Sequence, residues 1–470
     1  MPVSIDQRPL YATLPIGQQI MFSVSHNTIV ATKFKVKFIA KVYVSTYPIN
    51  LSNDAQLIGT FKTTPNNVGV GIFDLRPVLE TFLKPDYEGS TVPVGFGSKF
   101  KTSSVTHPMH LIDKFAVSED SIRYFAINFD IEYSETATGA VIPPSEQSTT
   151  EEAPSFSYLM FNGVLQYDDV LTLTSGNYGY NLDSFYLDDT NAKFLSNAPT
   201  TQYARLTDYG TLPFLNYLPS STDKVNSIVL IYYNDAGVQI GTETVPQDAA
   251  FGGTDYAGSY AYSRLMYFGA FPANLRNWST TFQALVTADT ISYYTLHATT
   301  SAGVASQTYT INTLCPNFKG YEAIRLAWLN QWGTWDYYTF NMKSTRSVAT
   351  NRTSYTQLGG TWNESTFKIS GYKGGKKNFR VNSTVKLKLN TDFVSEAEGV
   401  WFEELINSNE VYIVNELDSR AFAVDTITNK YIEPVRLTTS SYVKKTIAND
   451  KLMQYTIEIE KSKMERTQAV

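Results

Sequence analysis

Two histidines and an aspartate lie close together in His107–Asp113, which reads HPMHLID. Two imidazoles and a carboxylate are ligands that zinc accepts. Pro108 precludes a regular helix here, however, and the glutamate of an HExxH metalloprotease motif is absent. A polar loop is the favoured interpretation, and we expect neither a bound metal nor another cofactor.

Paired carboxylates occur at Asp168-Asp169 and at Asp188-Asp189. A glycosidase needs two carboxylates that converge across a cleft. Adjacent residues of a strand point to opposite faces, so adjacency does not provide that convergence, and turn or surface roles are favoured. Serine-nucleophile, Walker A and dinucleotide-binding motifs are absent from the sequence. We therefore expect that the chain is not an enzyme.

The segment Tyr321–Phe340, YEAIRLAWLNQWGTWDYYTF, contains three of the chain's six tryptophans. Such a cluster serves as a hairpin core, as a sugar-stacking platform or as an anchor for another subunit. The pattern predicts a strand over Tyr321–Asn330, a glycine-containing turn, and a return strand over Trp335–Phe340.

Trp328 is predicted to lie in the core of this hairpin, and Trp332 is predicted to be exposed on its turn. A sugar platform needs two or more exposed coplanar rings, which one turn tryptophan does not provide. We predict that the hairpin contributes a subunit interface, with four candidate residues: Trp332, Trp335, Tyr337 and Tyr338.

The most basic stretch is Lys368–Lys388, KISGYKGGKKNFRVNSTVKLK, in which Tyr372 and Phe379 are interleaved with lysines. Nucleic-acid-binding ribbons have a similar composition, but no RNP-type motif accompanies the stretch. A solvated hairpin with a charged face is the favoured interpretation, and contact with an acidic partner subunit is the functional alternative.

The composition is typical of β-sheet proteins. Aromatic residues make up 14% of the chain, and charged residues make up 17%, below the roughly 25% usual in soluble domains. The abundant Tyr, Thr and Val favour strands. A surface of Tyr, Thr and Asn is common where a neighbouring chain covers it.

The formal net charge of −6 argues against tight nucleic-acid binding; a mildly acidic surface suits a wall that DNA slides past as well as it suits any soluble protein. Cys315 is the single cysteine, which excludes an intramolecular disulfide. We see no secretion signal and no apolar run long enough to span a membrane. We expect synthesis and folding in a cytoplasm, without membrane association.

Period-two alternation recurs along the chain, for example in Arg123–Tyr133, where Phe125, Ile127, Phe129 and Ile131 share one face. Hairpins are predicted to turn at Asn234–Gly237 and Ser301–Gly303, as in immunoglobulin-like and fibronectin-like sandwiches. The predicted fold class is all-β and multidomain, with antiparallel β-sandwich modules and two or three short helices.

Short helices are predicted in Asp74–Lys84, in Ser395–Asn407 with a Ser395–Glu398 capping box, and in part of Leu265–Trp278, which Pro272 interrupts or begins. The polar segment Ser134–Pro154 reads as a linker or as a long hairpin tip. A second break is expected near Cys315–Asn317. We therefore predict domains at 1–154, 155–315 and 316–470.

The stretch Arg325–Phe340, RLAWLNQWGTWDYYTF, resembles the tail-barrel ring proteins of crAss-like tailed phages of Bacteroidota. Similar stretches near the end of the chain are WFEELINSNEVYIV (Trp401–Val414), PVRLTTSSYVKKT (Pro434–Thr446) and KLMQYTIEIEKS (Lys451–Ser462). The resemblance covers roughly the last third of the chain. It implies a non-enzymatic subunit of a ring under the portal, through which DNA leaves, and it implies no catalytic residues.

The leading hypothesis is therefore a homo-oligomeric tail or connector ring protein of a phage virion, assembled in the bacterial host cytoplasm beside other tail or portal proteins. The alternative is a virion-surface protein that binds a receptor or a carbohydrate. A glycan-degrading enzyme is a third class, which would need carboxylates that converge in a deep cleft.

Overall fold

A computed structural model describes residues 3–46, 56–89, 107–112, 114–118, 120–144, 157–166, 170–172, 178–180, 182–216, 224–247, 264–314, 321–415, 432–439, 441 and 453–466. The chain divides into two compact units. Unit 1 is Met1–Leu314 with Leu329–Asp336, and unit 2 is Cys315–Trp328 with Tyr337–Val470.

Strands dominate both units. Along residues 4–161 they are β1 (Ser4–Gln7), β2 (Thr13–Pro15), β3 (Met21–Ser25), β4 (Phe34–Ser45), β5 (Gln56–Thr63), β6 (Val70–Asp74), β7 (Glu88–Gly89), β8 (His107–Pro108), β9 (Phe115–Val117), β10 (Ile122–Ser134) and β11 (Tyr158–Phe161). Along residues 170–314 they are β12 (Val170–Thr172), β13 (Tyr178–Tyr180), β14 (Thr201–Arg205), β15 (Thr211–Leu215), β16 (Ser227–Tyr233), β17 (Gln239–Pro246), β18 (Leu265–Gly269), β19 (Tyr293–Thr300), β20 (Gly303–Val304) and β21 (Tyr309–Leu314). The remaining described strands are β22 (Ile324–Leu329), β23 (Trp335–Phe340), β24 (Thr345–Gln357), β25 (Gly375–Asn390), β26 (Val411–Val414), β27 (Ile432–Leu437) and β28 (Thr456–Lys461).

A β-sandwich forms the N-terminal part of unit 1. One sheet has the order β1-β3-β6 and the other has the order β2-β11-β10-β4-β5. Both sheets line one hydrophobic core, in which the ring of Phe129 lies 5.6 Å from that of Phe22 and 5.7 Å from that of Phe73. The predicted alternation in β10 is confirmed, because its apolar face is buried in this core.

The rest of unit 1 contains a sheet of order β14-β21-β19-β16-β17, with β20 beside β19, and a sheet of order β15-β18-β9. The pairs β7-β8 and β12-β13 are short two-stranded sheets. In unit 2 one sheet has the order β23-β22-β26-β27-β28-β25-β24.

The predicted boundary at residue 154 is not a division of the structure, since residues on both sides of it belong to unit 1. Two ladders cross it: β10 pairs with β11, and β9 pairs with β18. The described part of the predicted linker is a hairpin tip, in which Ile142 N donates to Tyr133 O at 2.7 Å. Residues 145–154 of that linker, and the predicted break at Cys315–Asn317, lie outside the described residues.

The described helices are short: α1 (Asn27–Thr32), α2 (Arg76–Leu79), α3 (Pro272–Trp278), α4 (Thr280–Thr287) and α5 (Glu396–Asn407). All three predicted helical segments contain one. Pro272 begins α3 as its first residue, and α5 has the predicted capping box between Ser395 and Glu398. The predicted all-β class, with antiparallel sheets and a few short helices, is confirmed.

Candidate assembly site

The tryptophan segment is a hairpin of β22 and β23, as predicted, and its turn is stabilised by the Asn330 side chain. Asn330 Oδ1 accepts hydrogen bonds from Trp332 N at 3.0 Å and Thr334 N at 3.1 Å. Gly333 has a φ of 70°, a left-handed conformation that glycine adopts without steric cost. Trp328 is buried in unit 2 with its ring 4.9 Å from that of Trp401, which confirms its predicted core position.

The prediction that Trp332 is exposed is wrong, because its side chain is only 2% exposed. The turn is part of unit 1, where the Trp332 ring lies 4.2 Å from that of Phe185. Asn330 Nδ2 and Thr334 Oγ1 both donate to Leu195 O at 3.0 Å. These contacts place the turn in the core of unit 1, although its sequence is typical of a surface loop.

Backbone contacts fix the same turn. Val164 N donates to Gln331 O at 2.6 Å. A Cβ on Gly333 would lie 1.6 Å from Asn162 O, so no other residue fits at this position without a shift of the backbone.

The other three candidate interface residues are also occupied within the chain. Trp335 is fully buried, and its Nε1 donates to Asp86 O at 2.8 Å. Tyr337 is buried beneath the Arg325 guanidinium, which lies 5.2 Å from the ring centroid. Tyr338 is partly buried with its ring 4.8 Å from that of Phe402, and burial raises the pKa of its phenol. The buried side chains of Trp335 and Tyr337 are not available as surface anchors, and that of Tyr338 is only partly accessible.

A second hairpin, formed by β24 and β25, is exposed instead. Its register runs from Thr345 opposite Lys388 to Gln357 opposite Gly375. The C-terminal end of β25 also pairs with β28, from Lys386 opposite Glu460 to Asn390 opposite Thr456. A single bridge, Ser383 to Glu465, extends that support. Residues 352–381, which we call the arm, lie beyond this support.

The tip of the arm is ordered by its own hydrogen bonds. Thr361 N donates to Lys368 O at 3.0 Å, and Lys368 N donates to Thr361 Oγ1 at 3.0 Å. Gly374 and Gly375 have φ values of 94° and 79°, which let the chain re-enter β25.

Large apolar side chains cover the arm without burial. All six tryptophans are described, and only Trp362 is exposed, at 79%. The other large apolar residues exposed on the arm are Tyr355, Leu358, Phe367, Ile369, Tyr372, Phe379 and Val381. An isolated two-stranded hairpin is at best marginally stable in water, and apolar patches on a surface mark sites of interaction. The arm is therefore the candidate assembly site.

The arm is also strongly basic. It has six basic residues and one acidic residue, a net charge of +5, whereas the whole chain has −6, so the other residues carry −11. Its acidic residue, Glu364, pairs with Lys368 at 3.5 Å. In the described part of the chain no carboxylate forms an ion pair with the other five basic residues, which are Arg352, Lys373, Lys376, Lys377 and Arg380.

Two sequence signals point to the arm. Thr345–Gln357, TRSVATNRTSYTQ, has no continuous apolar face, so it cannot be a half-buried strand. Lys368–Lys388 has lysines between aromatic residues and was predicted to be a hairpin, but its residues 375–388 belong to the single strand β25, whose partner is β24. Trp362 was missed because it is a single tryptophan in a polar turn, whereas the cluster at Trp328–Trp335 dominates the composition.

The structure describes only some of the residues considered above as metal ligands or paired carboxylates. His110 is buried with its ring 4.8 Å from that of Trp335, Asp113, Asp168 and Asp169 lie outside the described residues, and the side chain of His107 is not described. Asp189 Oδ1 accepts from Asn191 N at 2.6 Å, as expected of a turn. Among the described residues no group of three or more His, Cys, Asp or Glu side chains could hold a metal ion.

No helix in the described part of the chain is long and apolar enough to cross a membrane.

Comparisons with known proteins show no family. No family model matches the chain, and no curated protein matches it. The structure of trypsin-activated alpha-2-macroglobulin from Escherichia coli is 8% identical with a TM-score of 0.18, and the match covers 97% of this chain and 23% of that one. Alpha-2-macroglobulin from Escherichia coli activated by porcine elastase is 10% identical with a TM-score of 0.13, and the match covers 97% of this chain and 44% of that one. The chain thus spans less than half the length of either structure, and TM-scores this low carry no argument about function.

Proposed function

We propose that the chain is a structural, non-enzymatic subunit of a phage virion, a tail or connector ring protein that forms part of the conduit for DNA. The observation that carries the proposal is the arm, an ordered hairpin with exposed aromatic and basic side chains on an otherwise well-packed β protein. Subunits of large assemblies use such projections to bind their neighbours.

The resemblance to ring proteins of crAss-like phages supports the same role. All four similar stretches include strand or helix residues of unit 2. In this proposal the chain is made in the bacterial host cytoplasm and is incorporated into the virion tail beside other tail or portal proteins. DNA passes through as cargo without sequence-specific contacts.

Receptor or carbohydrate binding at the virion surface is the second candidate. The exposed rings of Trp362 and Tyr372, at 79% and 76%, are the observation that favours it, because sugars stack on exposed aromatic faces. This candidate would be favoured over the ring if the wild-type chain stays monomeric and binds glycans on an array, and if Trp362→Ala loses that binding.

Negative-stain microscopy of the purified full chain, together with mass spectrometry of purified virions of a phage that encodes it, tests the proposal. We expect closed particles with a central opening, and we expect the chain among the abundant tail proteins. Its absence from the virions would overturn the proposal.

A further inference from the structure

We propose that the arm of each copy docks on the acidic outer face of helix α5 of a neighbouring copy. The inference rests on the proposed function, a subunit of a closed assembly, and names the surface that joins identical subunits.

The acceptor surface begins ten residues after the arm in sequence. Asp392–Glu410 contains six acidic residues and no basic one. Glu396, Val400 and Glu403 are spaced i, i+4 and i+7, which places them on one face of α5. Val400 is 49% exposed, and Phe393, just before the helix, is 60% exposed. The outer face therefore combines carboxylates with uncovered apolar groups.

The two surfaces complement each other in charge and in apolar content. The side chains of Lys376, Phe379 and Arg380 in the arm are all exposed. The paired strands of the arm, six residues at about 3.3 Å each, extend roughly 20 Å, and the twelve residues of α5 extend about 18 Å. A basic, aromatic ribbon can thus lie along an acidic helix of equal length.

A second copy is the occupant that these observations favour. The arm and the acidic face are different sites on one chain, so their contact is head-to-tail, and head-to-tail contacts that close form rings. The exposed aliphatic side chains of Leu358 and Ile369 favour a protein surface over nucleic acid, since aliphatic groups neither neutralise phosphate nor stack on bases.

Sedimentation velocity of the full chain tests the inference by charge exchange. The proteins are the wild type, Lys376→Glu/Arg380→Glu, Glu396→Lys/Glu403→Lys, and a four-fold variant that combines both pairs. We expect each pair alone to raise the dissociation constant of self-association about tenfold or more, and the four-fold variant to restore it to within about threefold. All substituted side chains are at least partly exposed, so the melting temperatures should match.

Lys84→Glu/Lys193→Glu is the matched control, because it makes the same charge change at exposed lysines outside the arm. This control should assemble like the wild type.

If the wild type assembles and the arm variant assembles equally well, the inference is overturned and the proposed function stands. A four-fold variant that is not restored overturns α5 as the acceptor. A labelled DNA duplex that binds the wild type and not Lys376→Glu/Arg380→Glu would identify nucleic acid as the occupant and would also overturn the inference. A wild type that stays monomeric contradicts the proposed function itself.

Discussion

Trp332 and Trp362 both lie in hairpin turns, yet one side chain is 2% exposed and the other is 79% exposed. The difference arises from long-range partners: Phe185 lies against Trp332, and Leu195 O accepts two hydrogen bonds from the same turn. Sequence periodicity correctly predicted that Trp328 lies in the core, since the alternation of buried and exposed side chains along a strand depends only on neighbouring residues. The partners of Trp332 are more than a hundred residues away, so no local pattern could identify them.

Trp332→Ala should destabilise unit 1 by about 3–5 kcal/mol, because it removes a fully packed ring and leaves a cavity. Chemical denaturation of the purified chain measures this loss, and Trp332→Phe should lose less. An unchanged denaturation midpoint in Trp332→Ala would show that the ring is not packed in the core.

Trp362→Ala should show the opposite behaviour. We expect the free energy of unfolding to stay within about 0.5 kcal/mol of the wild type, because the side chain is exposed, while self-association measured by sedimentation weakens. Wild-type self-association in this variant would exclude Trp362 from the interface.

Tyr158 gives a prediction for alkaline pH. Burial raises the pKa of its phenol from 10.0 to about 12, so the unfolded chain loses this proton first. The stability that Tyr158 contributes is fully present below about pH 10 and decreases as the pH rises from about 10 towards about 12, by roughly 1.4 kcal/mol per pH unit.

Denaturation of the wild type and of Tyr158→Phe at about pH 9 and about pH 11 measures this contribution. The variant should lose less stability between the two pH values, because phenylalanine has no proton to release. An equal loss in both proteins would show that the Tyr158 phenol titrates normally in the folded state.

At the scale of elements, local chemistry was a reliable guide. The Ser395 capping box and the start of α3 at Pro272 were predicted, because caps and proline constrain the backbone within one turn. The predicted boundary at residue 154 does not divide the structure, because the ladder between β9 and β18 joins residues about 150 positions apart in sequence. For the arm, the sequence predicted only a basic hairpin within Lys368–Lys388, because the pairing of β25 with the distant strand β24 is not a local pattern.

Shortening the arm tests whether it is separate from the folded core. Replacing residues 358–374 with Asn-Gly would join Gln357 to Gly375 through a two-residue turn and would keep the paired strands. We expect an unchanged melting temperature by circular dichroism and weaker self-association, because the side chains that are lost are exposed or partly exposed. A clear drop in melting temperature would mean that the tip stabilises the fold.

At the scale of the whole molecule, charge is divided unevenly: the arm carries +5 and the other residues carry −11. Identical copies can then attract one another through opposite surfaces although each copy is acidic. Such contacts between exposed charges weaken as salt screens them, whereas the apolar side chains of the arm retain part of the attraction. The net charge of −6 alone did not reveal this division.

The mass of the full chain in solution tests the central claim most directly. Measured by sedimentation velocity across a concentration series, the wild type should form one closed species of many copies, and the protein with the shortened arm should stay close to the mass of a single chain, 52.6 kDa for the wild type. A wild type that remains a single chain at every concentration would contradict the account.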